Sequence, residues 1–185
     1  MRERLGSIAC SATARQALQG CVWFHAASVG EVQNVHPMIT AVRRHFPTWP
    51  IVLSTFTPSG KSLAARVVTE ANQVCILPVD LPWLMQRLIR QLQPRALVVQ
   101  ETELWPNLFQ AMAQAHVPII VVNGRLSQRA VRRYAWMRPV IRRTLAHVTL
   151  FLVQSPEMAQ RFCRLGAAPQ RLQVVGNTNI DRTLM

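Results

Sequence analysis

The sequence predicts an α/β fold built on an open parallel sheet of about seven strands, with helices on both faces. Three observations carry that prediction. Seven short apolar runs rich in Val, Ile and Leu recur along the 185 residues. Stretches with apolar residues at helical spacing separate them, and Gly, Pro, Ser or Asn punctuates the junctions. Strands that alternate with helices join as right-handed βαβ units, which gives a Rossmann-like parallel sheet covered on both sides.

Val22-Trp23-Phe24-His25-Ala26 reads as the first strand, broken by Ser28-Val29-Gly30. From Glu31, the residues Val32, Val35, Met38, Ile39, Val42 and Phe46 share one helical face. Arg43 and Arg44 sit near the C-terminal end, as the helix dipole favours, and Pro47 and Pro50 end the run. Ile51-Val52-Leu53 is the second strand, and a helix follows from Pro58 to about residue 72. Val74-Cys75-Ile76-Leu77 is the third, followed by Pro78-Val79-Asp80 and a helix through Leu84, Leu88 and Leu92. Ala96-Leu97-Val98-Val99 is the fourth, leading into an acidic loop and a helix to about residue 115.

Pro118-Ile119-Ile120-Val121-Val122 is the fifth strand, ending at Asn123-Gly124-Arg125. A long Arg-rich helix is expected from residue 127 to about 147, interrupted by Pro139. Leu150-Phe151-Leu152-Val153 is the sixth strand, and Ser155 caps a helix that stops at Gly166. Leu172-Gln173-Val174-Val175 is the seventh, ending at Gly176. Residues 1–20 read as a lead-in segment and residues 21–181 as one domain, without repeat or linker.

Half of the residues are apolar, so the chain can bury a continuous core and disorder is excluded as its default. The net charge is +13, and Lys61 is the single lysine among the 21 basic residues. An arginine-dominated surface favours anionic partners; it also suits planar, bidentate phosphate recognition, although a GC-rich genome gives the same bias. Cys10, Cys21, Cys75 and Cys163 show no metal-type spacing and read as reduced, mostly buried thiols of a cytoplasmic protein. No apolar stretch reaches membrane-spanning length and no signal peptide is evident, so the chain reads as soluble or peripheral.

The chemistry is expected at the carboxyl ends of the strands, where open parallel sheets bind ligands. Glu31, Asp80, Glu101, Glu103 and Asp181, five of the eight acidic residues, all follow strands. A carboxylate rim on a basic protein suggests proton transfer or hydroxyl recognition. For any one of them the alternative is a carboxylate that caps a helix N-terminus. Glu31, in a first helical turn, is expected to stay ionised near neutral pH.

Thr55-Phe56-Thr57-Pro58-Ser59-Gly60-Lys61-Ser62 has the context of a phosphate loop, but Thr55 stands where that motif needs glycine and Pro58 removes a donor. A milder reading keeps hydroxyls and N–H groups facing an anion. The histidines form no metal-ligand cluster, and His25 reads as a core residue. Trp105 is either a packing anchor or part of the site. Arg129, Arg132, Arg133, Arg138, Arg142 and Arg143 suit equally a solvated helix face or an anionic membrane surface.

His25-Ala26-Ala27-Ser28-Val29-Gly30-Glu31, Thr55-Phe56-Thr57-Pro58-Ser59-Gly60 and Leu77-Pro78-Val79-Asp80-Leu81-Pro82 together resemble the family of 3-deoxy-D-manno-octulosonic acid (Kdo) transferases. Glu101-Thr102-Glu103-Leu104-Trp105-Pro106-Asn107 and Asn123-Gly124-Arg125-Leu126-Ser127 resemble it in the same order and spacing, and Glu3-Arg4-Leu5-Gly6 is similar to its lead-in. The resemblance implies the N-terminal, acceptor-side half of a B-type glycosyltransferase fold. It also implies transfer of Kdo, with inversion, from CMP-Kdo to the lipid A precursor at the cytoplasmic face of the inner membrane.

Glu31 would be the general base and Glu101 a transition-state stabiliser. Ser28, Gly30, Thr55, Thr57, Ser59, Gly60 and Arg125 would bind substrate. No cofactor, metal or nucleic acid is implied, and the basic surface would meet lipid A phosphates and the anionic membrane. The family's N-terminal membrane anchor and its C-terminal, CMP-sugar-binding domain are not among these residues. The chain is therefore expected to be inactive alone. Asn179 stands where the family carries a lysine and cannot supply that charge. The competing reading is a non-catalytic remnant that binds anionic lipid through its arginines.

Overall fold

The structure, a computed structural model, describes residues 12–177. Seven strands form one sheet in the order β3-β2-β1-β4-β5-β6-β7, every pair parallel. They are β1 (Val22–His25), β2 (Ile51–Thr55), β3 (Gln73–Ile76), β4 (Ala96–Gln100), β5 (Ile119–Gly124), β6 (Leu150–Val153) and β7 (Leu172–Val174). The helices are α1 (Ala12–Gln16), α2 (Val29–His45), α3 (Pro58–Val67), α4 (Pro82–Leu92), α5 (Pro106–Gln114), α6 (Gln128–Ala135), α7 (Arg138–Ala146) and α8 (Pro156–Leu165).

The chain steps outward from β1 to β3, then crosses back so that β4 pairs with the free side of β1. Val22 is aligned with Ile51 on one side and Ala96 on the other. The strand order therefore reverses between β1 and β4, and a crevice opens at their carboxyl ends.

The two-residue period of the strands splits the core into two layers. Trp23, Leu97, Val99 and Val121 face the layer covered by α4, α5, α7 and α8. Val22, Phe24, Leu53 and Val98 face the layer covered by α2 and α3. Trp23 is fully buried, and its indole N–H donates to the Ser54 hydroxyl at 2.8 Å, which satisfies the one polar atom it brings inside.

Several expected boundaries move. The Arg-rich helix is two helices, α6 and α7, separated at Trp136 and Met137. Pro139 lies in the first turn of α7, where a missing N–H breaks no intrahelical bond. Helix α3 stops at Val67 rather than near residue 72, because the buried Val68 leaves the helical region at φ −100° and ψ 70°. The Asn72 side-chain oxygen accepts from the Ile51 N–H at 2.8 Å and from Arg43 at 2.6 Å. Strands β2 and β5 run further than expected, to Thr55 and Gly124. The lead-in contributes α1, and Leu18 joins the core.

Cys21, Cys75 and Cys163 form no disulfide, and burial pushes the Cys21 thiol up to about 12. Among the described residues no helix is long and apolar enough to cross a membrane. Cys10, Asn179, Asp181 and the Glu3-Arg4-Leu5-Gly6 run lie outside the described residues.

Candidate active site

Glu31 sits in the first turn of α2, immediately after β1, and is 9% exposed. Ser28 is the N-cap residue, and its hydroxyl donates to Glu31 Oε1 at 2.9 Å. The Ala27 N–H donates to Oε2 at 2.9 Å, so both carboxylate oxygens are held. The expectation that this group stays fully ionised is corrected. Burial pushes its carboxyl up to about 7, against the pull of the Ala27 and Ser28 hydrogen bonds, and the charges of Glu103 and Glu101 add to the rise. Desolvation outweighs the favourable helix terminus, and Glu31 exchanges its proton near neutrality.

Glu101 leaves β4 in the left-handed region, with φ 60°. Its N–H extends the ladder to Val122 O at 2.8 Å, and Oε2 receives Arg125 Nε at 2.9 Å and a terminal guanidinium nitrogen at 2.8 Å. The Arg125 N–H donates to the Thr102 hydroxyl at 3.2 Å, and that hydroxyl donates to the Arg125 carbonyl. These bonds tie the loops after β4 and β5 together. Burial, reinforced by the Glu101 charge, also raises the Glu103 carboxyl. Glu31 and Glu103 thus both feel the Glu101 charge across the point where the strand order reverses.

Asp80 is not one of these three. Its carboxylate accepts the N–H groups of Asn107 at 3.0 Å and Leu108 at 2.9 Å, and so caps α5. The capping alternative holds for this residue, because α5 opens with Trp105, which offers no side-chain cap.

The loop after β2 is fastened to the loop after β1. The N–H groups of Phe56 and Thr57 both donate to Ala27 O, at 3.1 and 3.2 Å, and the Thr57 hydroxyl reaches the same oxygen at 3.3 Å. Thr57 caps α3 by accepting from the Gly60 N–H at 3.1 Å. That bond uses one of the donors a phosphate loop would present, which counts further against nucleotide hydrolysis. A Cβ on Gly60 would lie 2.9 Å from Thr57 Oγ1, so the tight cap that Thr57 places on α3 favours glycine there. The buried Thr55 donates to Thr57 O at 3.3 Å, and Ser59 donates to the Thr57 hydroxyl at 3.4 Å. A Cβ on Gly30 would meet nothing within 4 Å, so the space over the first turn of α2 is open beside Glu31.

The structure therefore gathers Ser28, Gly30, Glu31, Thr55, Thr57, Ser59 and Gly60 on one side of the reversal point and Glu101 with Arg125 on the other. Trp105 is an anchor: its ring lies 5.6 Å from His25, edge to face, and 5.3 Å from Phe56. His25 is the core residue expected, with Nδ1 2.9 Å from the Ser54 hydroxyl and burial holding the imidazole down to about 4.

Sequence reasoning missed a cleft of about 490 Å³ beside the carboxylates, walled by Glu101, Glu103, Arg125, Arg133, Tyr134 and Arg161. Arg133 comes from α6 and Arg161 from α8. Each lies within two turns of the start of a helix that follows a strand, and that position was the available signal. Among the described residues no group of three His, Cys, Asp or Glu side chains is placed to hold a metal ion.

The whole architecture has relatives among solved structures. The UDP-GlcNAc 2-epimerase of Neisseria meningitidis superposes with a TM-score of 0.65 at 12% identity, over 88% of this chain and 48% of that one. The UDP-GlcNAc 2-epimerase of Methanocaldococcus jannaschii does so with a TM-score of 0.65 at 14% identity, over 88% and 47%. These likenesses concern the fold alone.

At the level of sequence, residues 1–182 match the family described as 3-deoxy-D-manno-octulosonic-acid transferase (kdotransferase). The 3-deoxy-D-manno-octulosonic acid transferase of Haemophilus influenzae is 32% identical over 160 residues, which is 86% of this chain and 38% of the relative. That of Bordetella pertussis is 30% identical over 178 residues, 94% of this chain and 41% of the relative. A bifunctional glycosyltransferase/methyltransferase of Fusobacterium nucleatum is 30% identical over 165 residues, 88% and 26%. The chain thus spans about 40% or less of the length of these relatives. With its fold, its carboxylate cluster and this match in hand, the chain belongs to the Kdo transferase family.

Proposed function

We propose that this chain is the acceptor-side domain of a Kdo transferase, which holds the lipid A precursor while Glu31 takes the proton of its attacking hydroxyl. The observation that carries the reading is Glu31 itself: a carboxylate buried at the sheet's reversal point, raised to about 7, with open space above its helical turn. A base poised near the working pH is suited to this task.

The acceptor oxygen attacks the anomeric carbon of CMP-Kdo, the bond to the phosphate oxygen breaks and CMP leaves with its electrons. Glu31 receives the hydroxyl proton, and attack opposite the leaving group inverts the centre. The charge of Glu101 would stabilise the developing positive charge on the sugar, and Arg125 fixes where that carboxylate points. Ser28 and Ala27 orient Glu31, and the fastened Thr55-to-Gly60 loop shapes the acceptor's side of the crevice. No metal takes part in this reading.

The donor CMP-Kdo would be held by a second half-domain, for which the length of the relatives, more than twice that of this chain, leaves room. The chain's place would be peripheral, at the cytoplasmic face of the inner membrane. The arginines of α6 and α7 favour a second reading, a non-catalytic lipid-binding domain that would be indifferent to Glu31.

Binding of the tetra-acylated, bis-phosphorylated lipid A precursor in detergent separates the two. The control lipid is a charge-matched anionic phospholipid, and the control protein carries E31A with E101A. The acceptor-site reading expects the precursor to bind more tightly and the double variant to lose that preference. Equal binding of both lipids, unchanged in the variant, would sink it.

A further inference from the structure

We infer that the turn between α6 and α7 is a membrane-docking edge, with Trp136 and Met137 inserted among anionic phospholipids. Trp136 is 94% exposed and Met137 55% exposed, and Val140 one turn on is 43% exposed. The whole run from 135 to 140 is exposed, and α6 buries no residue completely. A tryptophan is highly buried on average, so nearly complete exposure next to exposed Met137 and Val140 marks a contact surface. Its amphipathic ring suits the headgroup layer, where an apolar body and an N–H are both satisfied.

Charge identifies that partner. Arg129, Arg132 and Arg133 lie on α6, and Arg138, Arg142 and Arg143 on α7. Between Glu103 and Glu157 the sequence has no acidic residue at all. An apolar tip inside a ring of cations is the pattern of an in-plane contact with an anionic bilayer. Nucleic acid would use the cations but leaves a protruding Trp-Met pair unexplained.

The edge also has a fixed relation to the site. Helix α6 starts at the carboxyl end of β5 and contributes Arg133 and Tyr134 to the cleft beside Glu101 and Glu103. Trp136 lies about 14 Å further along the axis than Ser127, at 1.5 Å per residue. A chain resting on this edge holds the cleft close above the headgroups, so that a lipid-borne hydroxyl needs to rise only a short way to reach Glu31. That orientation rests on the acceptor-site reading; the docking does not.

Co-sedimentation with vesicles, without any acceptor, is the test. The chain should bind vesicles of phosphatidylcholine mixed with phosphatidylglycerol and leave pure phosphatidylcholine vesicles unbound. W136A/M137A should lower the partition coefficient by about tenfold or more, and R132Q/R138Q/R142Q by about fivefold for each arginine removed. Circular dichroism should match the parent for both variants, because the replaced side chains are exposed. Binding by W136A/M137A equal to the parent, or equal binding to neutral vesicles, would overturn the inference. So would a chain that ignores anionic vesicles and instead binds a short nucleic-acid duplex or dimerises through Trp136. The E31A/E101A variant should dock as the parent does. Equal binding of precursor and control phospholipid by the parent, unchanged in E31A/E101A and with docking intact, would therefore reject the acceptor site and leave this edge standing.

Discussion

Ser28 and Glu31 hold each other: the serine hydroxyl donates to Glu31 Oε1 at 2.9 Å and also serves as the cap for the Glu31 N–H, at 3.5 Å. The pair is a variant of the capping box, with the carboxylate taking the Ala27 N–H in place of that of Ser28, and the carboxylate that stabilises α2 is also the proposed base. S28A removes both bonds. Stability should fall by about 1 kcal/mol, and the midpoint of thermal unfolding by about 2–4 °C. Because the Ser28 hydrogen bond lowers the Glu31 carboxyl, its loss should raise the titration midpoint above that of the parent. An unchanged Glu31 titration in S28A would show that the bond is not made.

The pH dependence of stability separates Glu31 from His25. At pH 6 Glu31 is mostly protonated in the folded chain and ionised in the unfolded one, so unfolding releases a proton and rising pH favours unfolding. His25 acts in the opposite sense: neutral when folded and increasingly charged when unfolded below its ordinary value, it makes acid destabilising between 6.5 and about 4. Over pH 4.5 to 6.5 the two slopes oppose each other. E31Q should lose the Glu31 slope and keep that of His25, so its stability relative to the parent should climb as pH rises from about 4.5 through 7. Denaturant melts at several pH values measure the difference. A flat difference would contradict the burial of Glu31.

Asp80 is expected to matter for folding alone. D80A exposes two N–H groups of α5 and should cost about 1–2 kcal/mol, read as a drop of several degrees in thermal unfolding. Precursor affinity per folded molecule should stay within twofold of the parent. A loss of affinity without a loss of stability would return Asp80 to the site.

Glu101 should show the reverse pattern. Its left-handed backbone costs about 1 kcal/mol in any residue but glycine. The partly exposed pair with Arg125 offsets less than that. E101G should therefore unfold at the same temperature or a slightly higher one while weakening precursor binding. A clear loss of stability in E101G would mark Glu101 as a structural residue.

How far the sequence reached depends on whether the decisive contact is local. The seven strands and their alternation with helices were legible, because apolar runs and helical spacing report them directly. Glu31 and Glu101 were legible as candidates because each follows a strand and so falls at the rim. The titration of Glu31 was not legible, since it depends on burial in the folded crevice and on the charges of Glu103 and Glu101, which are remote in sequence. Which helix Asp80 would cap was not legible for the same reason: it caps α5, an element separated from it by α4 and β4. The break at Trp136 and Met137 was not legible, because Pro139, the residue that marks a helix boundary in sequence, lies inside the first turn of α7. Tertiary packing accompanies the actual boundary: α6 rests on α8, while α7 rests on both α5 and α8.

The central claim is a carboxylate at the reversal point of the sheet that trades its proton near neutrality. Carboxyl carbon NMR of the chain, with E31Q to assign the resonance, reads this directly. A Glu31 midpoint near 7, displaced when the lipid A precursor is added, is the predicted result. A midpoint at the ordinary carboxylate value, unmoved by the precursor, would contradict it and leave Glu31 as a cap of α2 and nothing more.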